Sequence, residues 1–395
     1  MKEGWEYKKL GDIGTFIRGG NFSKKDYVED GFPCIHYGQI HMKFGVETLR
    51  NISSVPAEMV KNDRCAKKGD LVIAITSEDD AGSCKCTAWM GDYDVYVGGH
   101  TAIYRHTMQP KYVSYYFMSP YFQKDKLEYT HGFKVVEISP KDIAKISIPV
   151  PSLSEQQSIV DYLDSAFAKI DAMKANAEKA LNGAKALLQA SLKEMLEPKE
   201  GWEKDELVKV FNFIDYRGAT PTKLDRGIPL ITAKNVKYGF IDYTIKDFIS
   251  KEEYDNRKSR GISHKGDILF TTEAPLGNVA IADLDEYSAG QRLITLQQYE
   301  KSRYSFINMF YYYYMLGPSF QKRIKELATG ATALGIKAKL LKTVVVPIPP
   351  LSEQQTIVET LDSLKSKVDK LQANYDKISQ ECDALKQAIL KQVFE

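Results

Sequence analysis

The sequence predicts an α+β chain, with two α/β globules related by a pseudo-two-fold axis and separated by two long antiparallel coiled-coil helices. Three observations carry that expectation. The chain repeats itself at an offset of 198 residues. Two 44-residue stretches, 154–197 and 352–395, contain no proline and no strand-like run. The second of them carries a 4-3 apolar seam over four heptads, the signature of a coiled coil.

The repeat divides the chain into a globule at 1–151, a spacer helix at 152–198, a second globule at 199–349 and a C-terminal helix at 350–395. Pro149-Val-Pro-Ser-Leu-Ser-Glu-Gln-Gln-Ser-Ile-Val160 returns as Pro347-Ile-Pro-Pro-Leu-Ser-Glu-Gln-Gln-Thr-Ile-Val358, with nine of the twelve positions identical. Fainter echoes fill the globules: Trp5 with Trp202, Arg18-Gly19 with Arg217-Gly218, Gly31-Phe-Pro33 with Gly227-Ile-Pro229, and Gly69-Asp70 with Gly266-Asp267. A period this long is a duplicated domain pair, not a solenoid.

Each globule reads as mixed. Asp70-Leu-Val-Ile-Ala-Ile-Thr76 and Asp267-Ile-Leu-Phe-Thr-Thr272 are buried strands entered by glycine turns. Aromatic-rich helices follow, the second containing Tyr311 to Tyr314. Four consecutive tyrosines face all sides of a helix, so they are expected in the core and not on a stacking surface.

Each helix is stopped from running backwards by its proline-rich lead-in. Ser154 with Gln157, and Ser352 with Gln355, have capping-box spacing. At roughly 1.5 Å per residue each helix would be about 65 Å long. The second seam is Ile357, Leu361, Leu364, Val368, Leu371, Tyr375, Ile378, Cys382, Leu385 and Ile389. Transferred by the repeat offset, the first becomes Ile159, Leu163, Ala166, Ile170, Met173, Ala177, Ala180, Ala184, Leu187 and Ser191. Small residues in one meet large ones in the other, which favours pairing between the two helices. Pseudo-two-fold symmetry makes the pair antiparallel, with Ile159 near Ile389, Met173 near Tyr375 and Ala184 near Leu364.

Composition narrows the function classes. Fifty-four Lys+Arg against 52 Asp+Glu leave a net charge of +2. Both helical stretches are net −2, so the globules carry +6. No stretch reaches the ~20 apolar residues of a membrane span, and the polar N-terminus has no signal-peptide core. Five cysteines make no disulfide framework, and a reducing, cytoplasmic location is expected. Cys84-Lys85-Cys86 lacks the second pair that a zinc site needs, and the six histidines show no metal spacing. Phosphate loops, His-Glu-x-x-His, Gly-x-Ser-x-Gly and Asn-Pro-Pro-Tyr-like methyltransferase loops are all missing. The expectation is a binding protein with no catalytic residue and no metal of its own.

The twice-written Pro-x-Pro-x-Leu-Ser-Glu-Gln-Gln-x-Ile-Val, each copy behind a globule with Trp-x4-Leu, Gly-x-Pro and Gly-Asp landmarks, resembles the specificity subunits of type I restriction-modification systems over the whole chain. That resemblance implies two target recognition domains, each reading half of a bipartite double-stranded DNA site, with the helices setting the gap. It implies two modification subunits that hold S-adenosylmethionine and methylate adenine, and restriction subunits that use ATP and Mg. Divergent loops between the globules (Ser77 to Ser83 against Thr272 to Asn278) imply an asymmetric target.

The resemblance directs attention to loops after Arg-Gly and Gly-x-Pro, where groove-reading and phosphate-holding side chains are expected. The first globule offers Arg18, Asn21, Lys24, Lys25, Tyr37, Gln39, His41 and Lys43. The second offers Arg217, Thr220, Lys223, Thr232, Lys234, Asn235, Lys237 and Tyr238, together with Gln291 and Arg292, which align with His100-Thr101. Glu155-Gln156 and Glu353-Gln354 serve either the helix start, where the dipole favours Glu, or contact with a partner subunit. Two other readings stay open: a non-enzymatic scaffold with two protein-binding globules, and a specificity subunit of a fused methyltransferase-nuclease system.

Overall fold

The structure, a computed structural model, describes residues 4–132, 135–216, 220–298, 302–330 and 333–395. It divides into two compact units. One is Met1–Asn176 with Asp376–Glu395; the other is Ala177–Tyr375. These boundaries differ from those drawn from sequence, because they cut both long helices mid-length and give each unit a part of each.

In the first unit, Glu6–Lys9 pairs antiparallel with Ser147–Val150 and ties the chain start to the helix lead-in. Thr101–His106 runs antiparallel between Gly14–Arg18 and Leu71–Ala74, inside a five-stranded sheet completed by Cys86–Trp89 and Glu47–Thr48. Leu71 to Ile75 are all fully buried, which explains a continuous apolar run where a half-exposed strand would alternate. A four-stranded sheet of Ser53–Val55, Phe32–Ile35, Val95–Val97 and Cys65–Ala66 lies alongside. Helix Pro110–Met118 closes the core with Tyr112, Tyr115, Tyr116 and Phe117.

The second unit repeats the plan. Leu293–Gln298 lies between Phe211–Asp215 and Ile268–Thr271, and Glu203–Glu206 pairs with Val345–Ile348. Tyr311 to Tyr314 are buried in helix Asn308–Leu316, with the hydroxyls of the first three serving the fold. Tyr311 donates to the Pro347 carbonyl at 3.0 Å and Tyr313 to Asp362 at 2.6 Å. Tyr112 and Tyr115 make the matching bonds to Pro149 and Asp164.

The long helices run Leu153–Leu196 and Leu351–Phe394, 44 residues each. Within the first unit they are antiparallel: Asp171 meets Lys386 at 2.6 Å and Lys174 meets Asp383 at 3.7 Å, so one number rises as the other falls. In the second unit Lys185 donates to Gln372 at 2.8 Å. These contacts displace the register from the expected one by about one heptad. The expectation set the helix ends flush, whereas Leu390, Val393 and Phe394 reach past the seam into the first unit's core.

The seam itself needs correcting. Met173, Leu187 and Leu385 are about half exposed, while Leu181 and Leu192 are buried and Leu188 half-buried. Beyond Ile170 the first helix follows Lys174, Ala177, Leu181, Ala184 and Leu188, which keeps Ala177 and Ala184 of the transferred seam and moves the positions between and after them by one residue. Its own leucines set the phase, and copying the other helix's pattern missed them. Ile159, Leu163, Ile170, Ile357, Leu361, Leu364, Val368, Leu371, Tyr375, Ile378 and Ile389 are buried or half-buried.

The expected capping boxes do not form, because the capping place falls two residues earlier, at Ser152 and Pro350. Ser152 Oγ accepts the Glu155 amide, and in the second copy the Pro350 carbonyl accepts the amides of Glu353 and Gln354. Gln157 and Gln355 turn instead to Asp161 and Glu359, one turn on.

His106, at the end of the central strand, lies tilted against Tyr104 at a centroid distance of 4.9 Å, with both ring nitrogens shut off from solvent. Burial pushes its pKa down to about 4, against the smaller opposing pull of Asp70. Because the folded value lies below the unfolded one, this group's stability contribution is complete above about pH 6.5 and is lost as pH falls through about 4. The first unit should lose about 3 kcal/mol over that window, and His106→Phe should flatten that pH dependence in denaturant titrations.

Candidate nucleic-acid interface

In the second unit the central strand is entered through Arg292, a non-glycine residue in the left-handed region at φ +65. Its carbonyl accepts the Thr272 amide at 2.9 Å. In the first unit His100 holds the same place at φ +62, with its carbonyl accepting from Ile75. Arg292 therefore corresponds to His100, and Gln291 to Gly99, one residue away from the sequence alignment. An L residue is costly in this conformation, by about 1–2 kcal/mol, so these two turns hold their side chains against a local preference for glycine.

Around Arg292 a shallow cleft of ≈ 210 Å³ gathers Thr220, Lys223, Thr232, Lys234 and Gln291. Gln291 donates to Thr220 Oγ1, which joins Thr220 to the central turn. Lys223 is paired with Asp247 at 2.5 Å, and Arg292 Nε lies 2.9 Å from Glu273 Oε1. Lys234 is exposed at the rim. Arg217 lies outside the described residues.

Four expected readers in this unit have other work. Asn235 is 1% exposed. Its amide donates to the carbonyls of Asp242 and Ile245, and its oxygen accepts from Thr232. It braces the loop, and Thr232's hydroxyl is spent on it. Lys237 faces Asp242 at 3.8 Å, away from the cleft, and the Tyr238 hydroxyl donates to the Leu316 carbonyl.

In the first unit the corresponding surface is built on Tyr37, whose ring meets His36, His41 and His100 at centroid distances of 4.5, 6.1 and 5.5 Å. Burial, and then the neighbouring Lys24 and His100, hold the His36 pKa down. Asn21, Lys24, Lys25 and Lys43 are exposed, with Lys24 and Lys25 on a turn capped by Ser23 and Asp26. Arg18 pairs with Glu137 at 3.2 Å. His41 lies beside the Thr76 carbonyl at 3.1 Å, which holds its Nε2–H tautomer. Gln39 is not available as a base reader: it is 9% exposed and bonded to the His36 amide, Ser53 and Tyr27.

The repeated Glu-Gln pair belongs to the helix start. Trp5 Nε1 donates to Glu155 and Trp202 Nε1 to Glu353, each at 2.9 Å. Lys199, and then Trp202, hold the Glu353 carboxyl below its usual range. Gln156 and Gln354 are buried; their oxygens accept the amides of Gln109 and Ile307, and their nitrogens donate to Pro151 and Pro349. These groups are consumed in joining globule to helix, which leaves little of them for a partner subunit.

Sequence reasoning missed Glu273 and His100. Aligning the central strands by their pairing, instead of by residue likeness, would have found His100; Glu273 becomes visible only beside Arg292. Among the described residues no group of three or more His, Cys, Asp or Glu is placed to hold a metal, and no helix is long and apolar enough to cross a membrane. All five cysteines are free and buried, with the Cys84 and Cys86 thiols pushed up to about 12 by burial.

Comparison with known proteins agrees with this duplicated plan. The family model for the type I restriction modification DNA specificity domain matches residues 2–182 and again 199–380. The type I restriction enzyme EcoKI specificity subunit of Escherichia coli K12 is 24% identical over 421 residues, covering 100% of this chain and 89% of the relative. A putative type I restriction enzyme MjaX specificity subunit of Methanocaldococcus jannaschii is 25% identical, covering 92% of this chain and 87% of the relative. A chain from a structure of type I R-M system assembly and conformational transition superposes with a TM-score of 0.77 at 20% identity, covering 100% of this chain and 98% of that one. The HsdS subunit of Thermoanaerobacter tengcongensis gives 0.58 at 19%, covering 100% and 97%.

Proposed function

The chain belongs to the family built on the type I restriction modification DNA specificity domain, of which it carries two copies, and we propose that its two globules read the two halves of one bipartite, asymmetric site in double-stranded DNA. One observation carries this reading: the same turn of the same fold bears His100 in one unit and Arg292 in the other. One scaffold with two different reading groups suits two different half-sites.

In this reading the chain recognises and its partners react. Two modification subunits bring S-adenosylmethionine to adenine, and restriction subunits bring the ATP- and Mg-dependent steps. The long helices act as a ruler for the unread gap, and the assembly works in the cytoplasm. A modest globule charge of +6 is consistent with phosphate contacts shared among subunits.

Sequencing of methylated adenines in host DNA tests the proposal. The expected motif is bipartite and disappears when this chain is deleted. Inserting one heptad into each long helix should lengthen the gap and leave both half-sites unchanged. A contiguous motif, or an unaltered gap in an assembled and active variant, would refute the division of labour. Co-purification then separates a two-gene modification and restriction set from a fused methyltransferase-nuclease partner.

A further inference from the structure

Resting on that reading, we propose that Arg292 and Glu273 together read a single G·C base pair in the half-site of the second unit. The two side chains form an ion pair, Nε to Oε1 at 2.9 Å, and both are about half exposed. Arg292 lines the cleft that holds Lys223, Lys234 and Gln291, and Glu273 precedes Ala274 on its wall. Beside this ion pair, the two terminal guanidinium nitrogens have no hydrogen-bond partner among the described residues, and neither has Glu273 Oε2.

This leaves a pair of donors beside an acceptor. In the major groove guanine presents O6 and N7 as acceptors, and the cytosine paired with it presents its N4 amino donor. Guanine O6 and cytosine N4 lie about 2.9 Å apart across the base pair, close to the separation of Arg292 Nε and Glu273 Oε1 here. The arrangement complements G·C and clashes with A·T, whose purine N6 is a donor that would face the guanidinium.

Charge decides between base and phosphate. Arg292 with Glu273 is neutral as a unit, and a carboxylate beside the guanidinium repels a phosphate. A neutral pair displaces no net counterion, so it should contribute discrimination without salt dependence. Lys234, exposed on the same rim with no salt-bridge partner among the described residues, is the residue suited to phosphate. The turn makes the same point from the backbone, because Arg292 keeps a side chain at φ +65, where glycine would be relaxed.

The test uses the full chain in its assembled methyltransferase complex and the motif read from host methylation. Binding is measured to duplexes in which each base pair of each half-site is replaced in turn, at several salt concentrations. For the wild type, replacing one G·C pair of one half-site by A·T should weaken binding about 10–100-fold. Arg292→Ala should accept every base pair at that position within a few-fold, with the salt slope unchanged and the other half-site still discriminated. That retained discrimination also reports that the variant is folded. Glu273→Gln should relax the same base pair and no other.

Weakening of all duplexes alike by Arg292→Ala, with a shallower salt slope, would make Arg292 a phosphate contact and overturn the proposal. Discrimination unchanged at every base pair, or a half-site pair lost that is not G·C, overturns it equally. A wild-type complex that distinguishes none of the duplexes would instead bring down the underlying DNA-reading function.

Discussion

Replacing Phe394 by alanine should destabilise the Met1–Asn176 unit by about 3–5 kcal/mol, although the substitution lies more than 200 residues away from that segment's end. The ring is 3% exposed and meets Tyr112 and Tyr116 edge-on at 5.4 and 5.3 Å. Leu390 and Val393 are buried in the same cluster. Truncating the ring leaves a cavity between a helix end and a helix face, both held elsewhere, so little collapse can fill it. In a Trp202→Phe background only Trp5 and Trp89 remain, both in the first unit. Their fluorescence should show the denaturant midpoint falling for Phe394→Ala. An unmoved midpoint would mean that the tail only rests on the surface.

Gln354→Leu is expected to be the most damaging change within the repeated motif. The side chain is fully buried, and its oxygen and nitrogen each serve one main-chain group, Ile307 N and Pro349 O, at 2.9 Å. Leucine fills the volume and serves neither. Each orphaned group costs about 1–3 kcal/mol, and the two lie on opposite sides of the junction between globule and helix. Glu353→Gln should be mild by comparison, since that side chain is partly exposed and an amide oxygen can still accept from Trp202. Thermal unfolding of the two variants side by side checks the ordering. Equal losses would show that burial does not distinguish the neighbouring residues.

That contrast shows what a sequence can display. Duplication, helix lengths and the segment that opens each helix were legible because repeats and proline punctuation are local and written in order. The seam of the second helix was legible for the same reason, except at Leu385, which is about half exposed. Its register against the first helix was not, because it depends on where Phe394 seats itself in a distant core. The seam phase failed at Met173 and Leu187 because the two helices have diverged, and Leu181 and Leu188 carry the first helix's own pattern.

The candidate interface was legible as loops and much less so as residues. Gln39 and Asn235 have the side chains that read bases, and the same amides are equally good at bracing their own loops. Only geometry separates those uses, and here both turn inward. Arg292 was named from sequence but placed one residue out of line, and Glu273 was passed over because a lone carboxylate carries no signal until its partner is known.

The passage of Leu390 to Phe394 into the first unit also orders events on the ribosome. Domains generally fold from the N-terminal end as synthesis proceeds, yet here the core around Tyr112 waits for residues translated after the whole of Ala177–Tyr375. The second unit has all its chain first, and the first is sealed last. A nascent chain cut short between residues 375 and 390 would therefore emerge with one finished half and one open one, exposing an aromatic pocket to the quality-control machinery instead of presenting half a reader to DNA.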